Sequence, residues 1–503
     1  MSGQRPSEVD LNIVNGKVVT PAGVRPGGIA IEDGRIVGVM DERLLPPARD
    51  VIDAGGRHIM PGVVDPEAHP GHADPLDLDV KTETRAAAVA GVTTWGIHNP
   101  SPRFGQEPFK QYVEPADVVS FLPVFERGRQ TWGAHSMVDF MFSFQLETDE
   151  QAEEIPRYAR DLGVTSFKFY CHCRRLETDT WWGAQRTGLA RGFDDGTFFL
   201  ACERAAEIGP PGMVMFHPEN WEIARVLEKR LIAAGRQDLG AWDDRSPWLT
   251  EAHHIRAYGF LGKVTGCPLY VQHCTNPLSI QEVVRARSEG IKMYAQTGAV
   301  WLYFTREAWR INVPLRNRDA IEAQWAALRD GIIDCVGSDH VVARGTRAEM
   351  AAEGVWSRKK SGFPSRVECL LPVMLHEGVN KGRIGFGRLV EVCCEAPAKI
   401  FGIYPRKGAI LPGSDADLVI VDLDKEVTVQ DEMIHSRPGW SLLSGHTIKG
   451  WPVMTILRGK VIARWRDGAP RAEVVGAPQG TYIPRFPRQT ASMMEAQAAP
   501  LAV

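Results

Sequence analysis

Between residues 61 and 340 the chain alternates short apolar, β-branched or aromatic runs with stretches of helical patterning. No other feature restricts its fold as strongly. The strand-like runs are 62–65, 92–98, 136–144, 166–171, 213–217, 269–273, 292–296 and 332–337; helical patterns such as 150–162, 200–208 and 277–290 lie between them. Strands separated by helices cannot pair as hairpins and are read as βα units of a parallel sheet. Eight such strands in about 280 residues predict a (β/α)8 barrel over residues 61–407, of the TIM type. The longer insertions follow strands, on the face where a barrel builds its active-site loops. Helices running through Ala398-Lys399-Ile400-Phe401 close it.

The flanks read differently. Residues 1–60 are β-rich: 9–14 alternates, Asn15-Gly16 is a hairpin signal, and Glu32-Asp33-Gly34 is a second turn. β character returns over 408–468, with the turn Gly413–Asp417 before Leu418-Val419-Ile420-Val421 and the turn Arg458-Gly459 later. The expected architecture is a small β-sandwich built from both chain ends, with the barrel inserted between them. The segment 469–503 is rich in Pro, Ala, Gln and Arg and carries no core pattern, so it is expected at a subunit interface or partly disordered.

Composition enters by what it rules out. A net charge of -4 without basic or acidic blocks gives no reason to expect nucleic acid or a membrane surface. No apolar run reaches membrane-spanning length, and Met1 to Asp10 lacks the apolar core of a secretory signal. Nine scattered cysteines fit reduced thiols in a cytoplasmic protein better than a disulfide framework. Cys171-His172-Cys173 is not expected to form a metal cluster, because a strand would separate His172 from both thiols.

Barrel chemistry gathers at the C-terminal ends of strands, and here those ends carry one kind of residue. The first leads into Glu67 and His69, two apart and so on one side of an extended segment. The fifth ends in His217, the sixth in His273, and the eighth leads to Asp339 and His340. The fourth, Ser166-Phe167-Lys168-Phe169-Tyr170, holds a lysine in an aromatic run. Desolvation should depress its pKa from about 10.4. A neutral buried amine can add CO2 and become a carbamate, whose two oxygens can bridge two divalent ions.

Together with Pro268-Leu269-Tyr270-Val271-Gln272-His273, Val336-Gly337-Ser338-Asp339-His340, Glu377–Arg383 and Ala396–Phe401, these stretches make the chain resemble the dihydropyrimidinase, hydantoinase and allantoinase family of the amidohydrolase superfamily. The likeness covers roughly residues 9–465. It implies a metal-dependent hydrolase of cyclic amides or related C–N bonds. One ion would be held by Glu67, His69 and Asp339, and a second by His217 and His273, with carboxylated Lys168 between them. Asp339 would carry the proton from the attacking water to the leaving nitrogen. The resemblance also implies a small-molecule amide substrate and a homotetramer or homodimer.

Two departures stand out. Glu67 occupies the place of the first histidine in the family's His-x-His pair. A carboxylate can still ligate, but it adds negative charge and moves preference from zinc towards harder ions such as manganese or iron. One or two bound ions, or a non-catalytic scaffold on the same fold, are therefore all open. Cys173 stands where the family commonly has a substrate-contacting tyrosine, which Tyr170 or His172 would have to replace. Trp95, Arg174 and His340 are further candidates for the substrate pocket. The aromatics His98, Trp181, Trp182, Trp301 and Tyr303, and the cations Arg175 and Arg344, crowd the same loops.

Overall fold

The computed structural model describes residues 8–71, 74–100, 120–171, 193–342, 345–357 and 363–487. Strands β1 (Val9–Thr20), β2 (Gly23–Glu32), β3 (Arg35–Met40), β4 (Ala48–Asp53) and β5 (His58–Pro61) precede the barrel. The barrel strands are β6 (Val63–Ala68), β7 (Val92–Pro100), β8 (Asp139–Gln145), β9 (Ser166–Tyr170), β10 (Met213–His217), β11 (Leu269–Val271), β12 (Met293–Gly298) and β13 (Cys335–Gly337). β14 (Leu418–Thr428), β15 (Thr447–Leu457), β16 (Lys460–Arg464) and β17 (Glu473–Val474) follow.

The eight barrel strands neighbour one another in chain order, all parallel. The ring comes round where Ala68 bridges His340 and the His69 N–H donates to the His340 carbonyl oxygen at 2.8 Å. Strand alternation sorts the core. Phe140, Phe142 and Phe144 of β8 face the helices as part of the large core cluster. Met141, between them, joins Val64, Met213, Met215, Tyr270 and Cys335 in a separate cluster that fills the barrel interior. That apolar plug leaves the C-terminal mouth for polar groups.

Strands from both chain ends share one nine-stranded sheet, in which β14 joins β5. It has its own core, including Ile13, Ile29, Ile59, Leu418 and Ile456. The small β domain expected from both chain ends is present, and its strands are joined in one continuous hydrogen-bonded path. The turn at Asp33-Gly34 is present, with φ of 50° and 73°. The hairpin expected at Asn15-Gly16 is absent: β1 runs straight through with a bulge, and Asn15 has φ 52°. There β1 changes its parallel partner from β4 to β5. A Cβ on Gly16 would meet Ile59 Cδ1 at 2.3 Å, so the glycine serves a close approach instead of a turn.

The C-terminal segment, expected at an interface or partly disordered, adds β17 to the sheet and then touches the barrel of its own chain. Tyr482 pairs with Phe140, and Arg485 is buried, donating to Ser166 Oγ at 2.9 Å and to the Phe142 carbonyl oxygen. Its aromatic and cationic side chains find partners that its composition does not reveal. Among the described residues, no helix is long and apolar enough to cross a membrane.

Candidate active site

Glu67 and His69 leave β6 on the same side and are buried at the mouth. His273 and Asp339, each two residues beyond its strand, have φ of 48° and 46°. A non-glycine residue in the left-handed region costs about 1–3 kcal/mol. Of the barrel residues, His273 and Asp339 adopt this conformation, both at the mouth. His217 is the last residue of β10, and Lys168 points inward from β9 between Phe167 and Phe169, which face the helices.

The side chains converge on Glu67. Lys168 Nζ lies 3.3 Å from Glu67 Oε1, and His273 Nδ1 lies 3.3 Å from Oε2. His69 Nε2 is 3.0 Å from Asp339 Oδ1 and 3.7 Å from Glu67 Oε1. One ligand atom each of Glu67, His69 and Asp339 falls within 4.8 Å of the others. The His217 and His273 rings meet edge to face at 5.0 Å. His217 Nε2 also approaches Glu219 Oε2 at 3.4 Å, a carboxylate that orients the ring.

The electrostatics show what the cluster wants. Burial pushes the Glu67 carboxyl up, but His273 and Lys168 outweigh it and hold the group well below its usual range. Burial also raises Asp339, yet Arg366 and His273 bring it down to about 2. Burial drives His273 down to about 3 and lowers Lys168. His69 moves up: burial opposes it, but Asp339 and Glu67 prevail. If Nδ1 donates to the His98 carbonyl oxygen at 3.1 Å, Nε2 faces two carboxylates and calls for a cation between them. His273 Nδ1 is buried without a hydrogen bond. Imidazole and carboxylate donors at this spacing fit a divalent ion.

The other expected residues are distributed unevenly. Tyr170 Oη sits 3.0 Å from His69 Nδ1, and its ring lies 4.5 Å from Lys168 Nζ, at the site. Trp95 and His340, expected as substrate contacts, are both engaged by other elements of the barrel. Trp95 is within β7, fully buried, and donates to Asp65 Oδ2 at 2.8 Å. His340 Nε2 is 2.7 Å from Glu83 Oε2, and Nδ1 accepts from the Arg366 N–H at 3.3 Å, so both ring nitrogens serve the barrel wall. His172, Cys173, Arg174, Arg175, Trp181, Trp182 and Arg344 lie outside the described residues.

Three partners escaped sequence reasoning. Gln296 Nε2 donates to Glu67 Oε2 at 2.6 Å. It closes the seventh predicted strand, so a wider list of strand-end polar residues would have included it. Asp65 accepts from the Ser338 and Trp95 side chains and ties β6 to the segment after β13. Arg366 donates to Asp339 Oδ2 at 2.9 Å from a segment with no periodic signal.

Known proteins carry the same organisation. The Amidohydrolase family model matches residues 250–462. The L-hydantoinase of Paenarthrobacter aurescens is 32% identical over 468 residues, covering 90% of this chain and 94% of the relative. The D-hydantoinase of Ralstonia pickettii is 29% identical over 472 residues, covering 90% and 95%. Among solved structures, an L-hydantoinase (dihydropyrimidinase) from Arthrobacter aurescens superposes with a TM-score of 0.80 at 30% identity, over 95% of this chain and all of that one.

Proposed function

Because this chain belongs to the cyclic amidohydrolases, the family of the hydantoinases and allantoinases, we propose that its barrel mouth hydrolyses the amide bond of a small ring, with Glu67 as a working metal ligand. Members of this family are metal-dependent hydrolases of cyclic amides. The observation that carries the reading is the convergence of Glu67, His69, Lys168, His217, His273 and Asp339 from five strand ends, with Glu67 at the centre.

Glu67, His69 and Asp339 would hold one divalent ion, and His217 and His273 a second, with Lys168 as the carbamate that would complete the site. When bound, such ions polarise the scissile carbonyl and lower the pKa of a coordinated water from 15.7 towards about 7. The remaining work belongs to the chain. Lys168 reaches its carbamate by N–C bond formation between the neutral amine and CO2 with loss of a proton, and burial favours that neutral amine. Asp339 is ionised at neutral pH and accepts a proton from the attacking water, then returns it to the leaving nitrogen. Tyr170 Oη, beside His69, is placed to donate to the developing oxyanion. Gln296 fixes one Glu67 oxygen and leaves the other for ligation. A carboxylate in place of imidazole widens the choice of metal from zinc to manganese or iron. The reading includes a homodimer or homotetramer in the cytoplasm; no disulfide joins any two of the eight described cysteines, in keeping with a reducing compartment.

Metal content per subunit, measured on protein purified without chelator and paired with turnover of hydantoins and dihydropyrimidines, tests this. One or two ions with turnover is the expected result, and Glu67→His should keep the ions while favouring zinc. Absence of metal from both forms, with no ring opened, overturns it.

A further inference from the structure

Arg366 enters the mouth from the segment after β13 and is fully buried. Its Nη1 donates to Asp339 Oδ2 at 2.9 Å. Its Cζ lies 4.6 Å from the Phe363 ring centre and 5.7 Å from that of Trp301, which itself stacks on His273 at 5.2 Å. Two aromatic rings and one carboxylate therefore set the plane of the guanidinium. The Arg366 backbone is held as well, its N–H 3.3 Å from His340 Nδ1.

Nε and Nη2 of this buried group have no hydrogen-bond partner among the described residues. Unpaired donors on a buried charged group are among the least favourable features a fold can carry. Their identity is informative. Nε and Nη2 form one edge of the guanidinium, presenting two parallel N–H groups spaced like the two oxygens of a carboxylate. The nearest acid in sequence, Glu368, is committed to Ser365, His435 and Ser436. A neutral carbonyl would use one of the two donors; a carboxylate uses both and answers the charge.

We propose that this free edge of Arg366 binds a carboxylate carried by the substrate, so that the ring preferred by the site is an acidic cyclic amide. The inference rests on the hydrolytic reading above. Nη2 shares Cζ with Nη1, so a carboxylate on the free edge sits one guanidinium width from Asp339. The ring attached to it is thereby anchored beside the residue that handles the proton.

The test compares hydantoin-5-acetate with its neutral analogue hydantoin-5-acetamide, on the metal-loaded protein as purified and on Arg366→Lys. Lysine keeps a cation near Asp339 but offers no paired edge. Wild type should favour the acid by about 10-fold or more in kcat/KM, mainly through KM. Arg366→Lys, which also alters the partner of Asp339, should lower kcat/KM for the acid about 10- to 100-fold more than for the amide, the extra loss appearing in KM. Equal treatment of acid and amide by wild type overturns the inference and requires no variant to fold. Equal loss on both rings in Arg366→Lys also overturns it, since Arg366 would then act on Asp339 alone. If neither ring is opened, calorimetric binding decides. Tighter binding of the acid that is lost in Arg366→Lys upholds the carboxylate site while the hydrolytic reading falls. Equal or absent binding overturns the carboxylate site too.

Discussion

The barrel has a buried ionic cluster at each end, and each contains one lysine facing carboxylates. At the floor, Lys407 Nζ lies 2.5 Å from Asp139, 2.7 Å from Asp417 and 2.9 Å from Asp415. Arg458 also pairs with Asp139, and the Thr481 N–H donates to it at 2.7 Å. At the mouth, Lys168 meets a single carboxylate, Glu67, at 3.3 Å. Both lysines are buried, yet they shift in opposite directions. Burial works against the charge of Lys407, but Asp417, Asp139 and Asp415 prevail and raise its pKa. Burial dominates at Lys168 and lowers it. The spacing of Asp139, Asp415 and Asp417 would suit a cation, as does that of Glu67, His69 and Asp339. The floor trio already closes around an ammonium. At the mouth the ammonium stands to one side, on Glu67, and the ligand-type atoms face one another. A buried charge cluster is a structural clamp when its own side chains neutralise it, and a candidate for chemistry when they do not.

Exchanging each lysine for an apolar residue should separate the two roles. Lys168→Met should lower ring-opening turnover by about 10³-fold or more and reduce metal content, as read by steady-state kinetics and elemental analysis. Retained activity would erase the contrast. Lys407→Met should destabilise the fold by about 3–5 kcal/mol in urea unfolding, because it strands buried carboxylates. The kcat of the protein that remains folded should stay within about twofold of wild type. The folded pKa of Lys407 is raised, so its stabilisation is complete below 10.5 and declines only as pH climbs through the higher folded value. The stability gap between wild type and Lys407→Met should therefore be flat from about pH 6 to 10.

Smaller effects sharpen the mouth side. Gln296→Leu removes the 2.6 Å donor to Glu67. Metal affinity should fall about 10- to 100-fold in a competition titration with a chromogenic chelator, with little loss of stability. His98 is fully buried, and burial, aided by Lys168, lowers it to about 3. It is neutral in the fold, whereas in the unfolded chain it takes a proton below 6.5. Wild type should thus lose stability relative to His98→Asn as pH falls from 6.5 towards 3, by about 1.4 kcal/mol per unit once well below 6.5. A gap that does not change over pH 4–7 would place His98 outside the unneutralised cluster.

Much of this was legible in the chain. The eight barrel strands and the residues at their ends follow from local apolar runs and two-residue alternation, and those act over a few residues. Tyr170, two residues along β9 from Lys168, was found the same way. The orientation of Trp95 and His340 was not, because it depends on Asp65 and Glu83 reaching them from other elements. Nor was the straight course of β1 through Asn15-Gly16, which is set by the approach of Ile59.

The sequence by itself determined the number of βα units, the shared β-sheet of the two ends and the ligand types at the mouth, since hydrophobic period and strand direction are local properties of the chain. Only the tertiary structure decided which buried charges are neutralised. Lys407 meets Asp139 across 268 positions, and Gln296 meets Glu67 across 229. Arg366 reaches Asp339 across 27 positions with no periodic pattern to announce it. Charge pairing acts over a few ångströms of space, and distance along the chain says nothing about which carboxylate a buried cation will find.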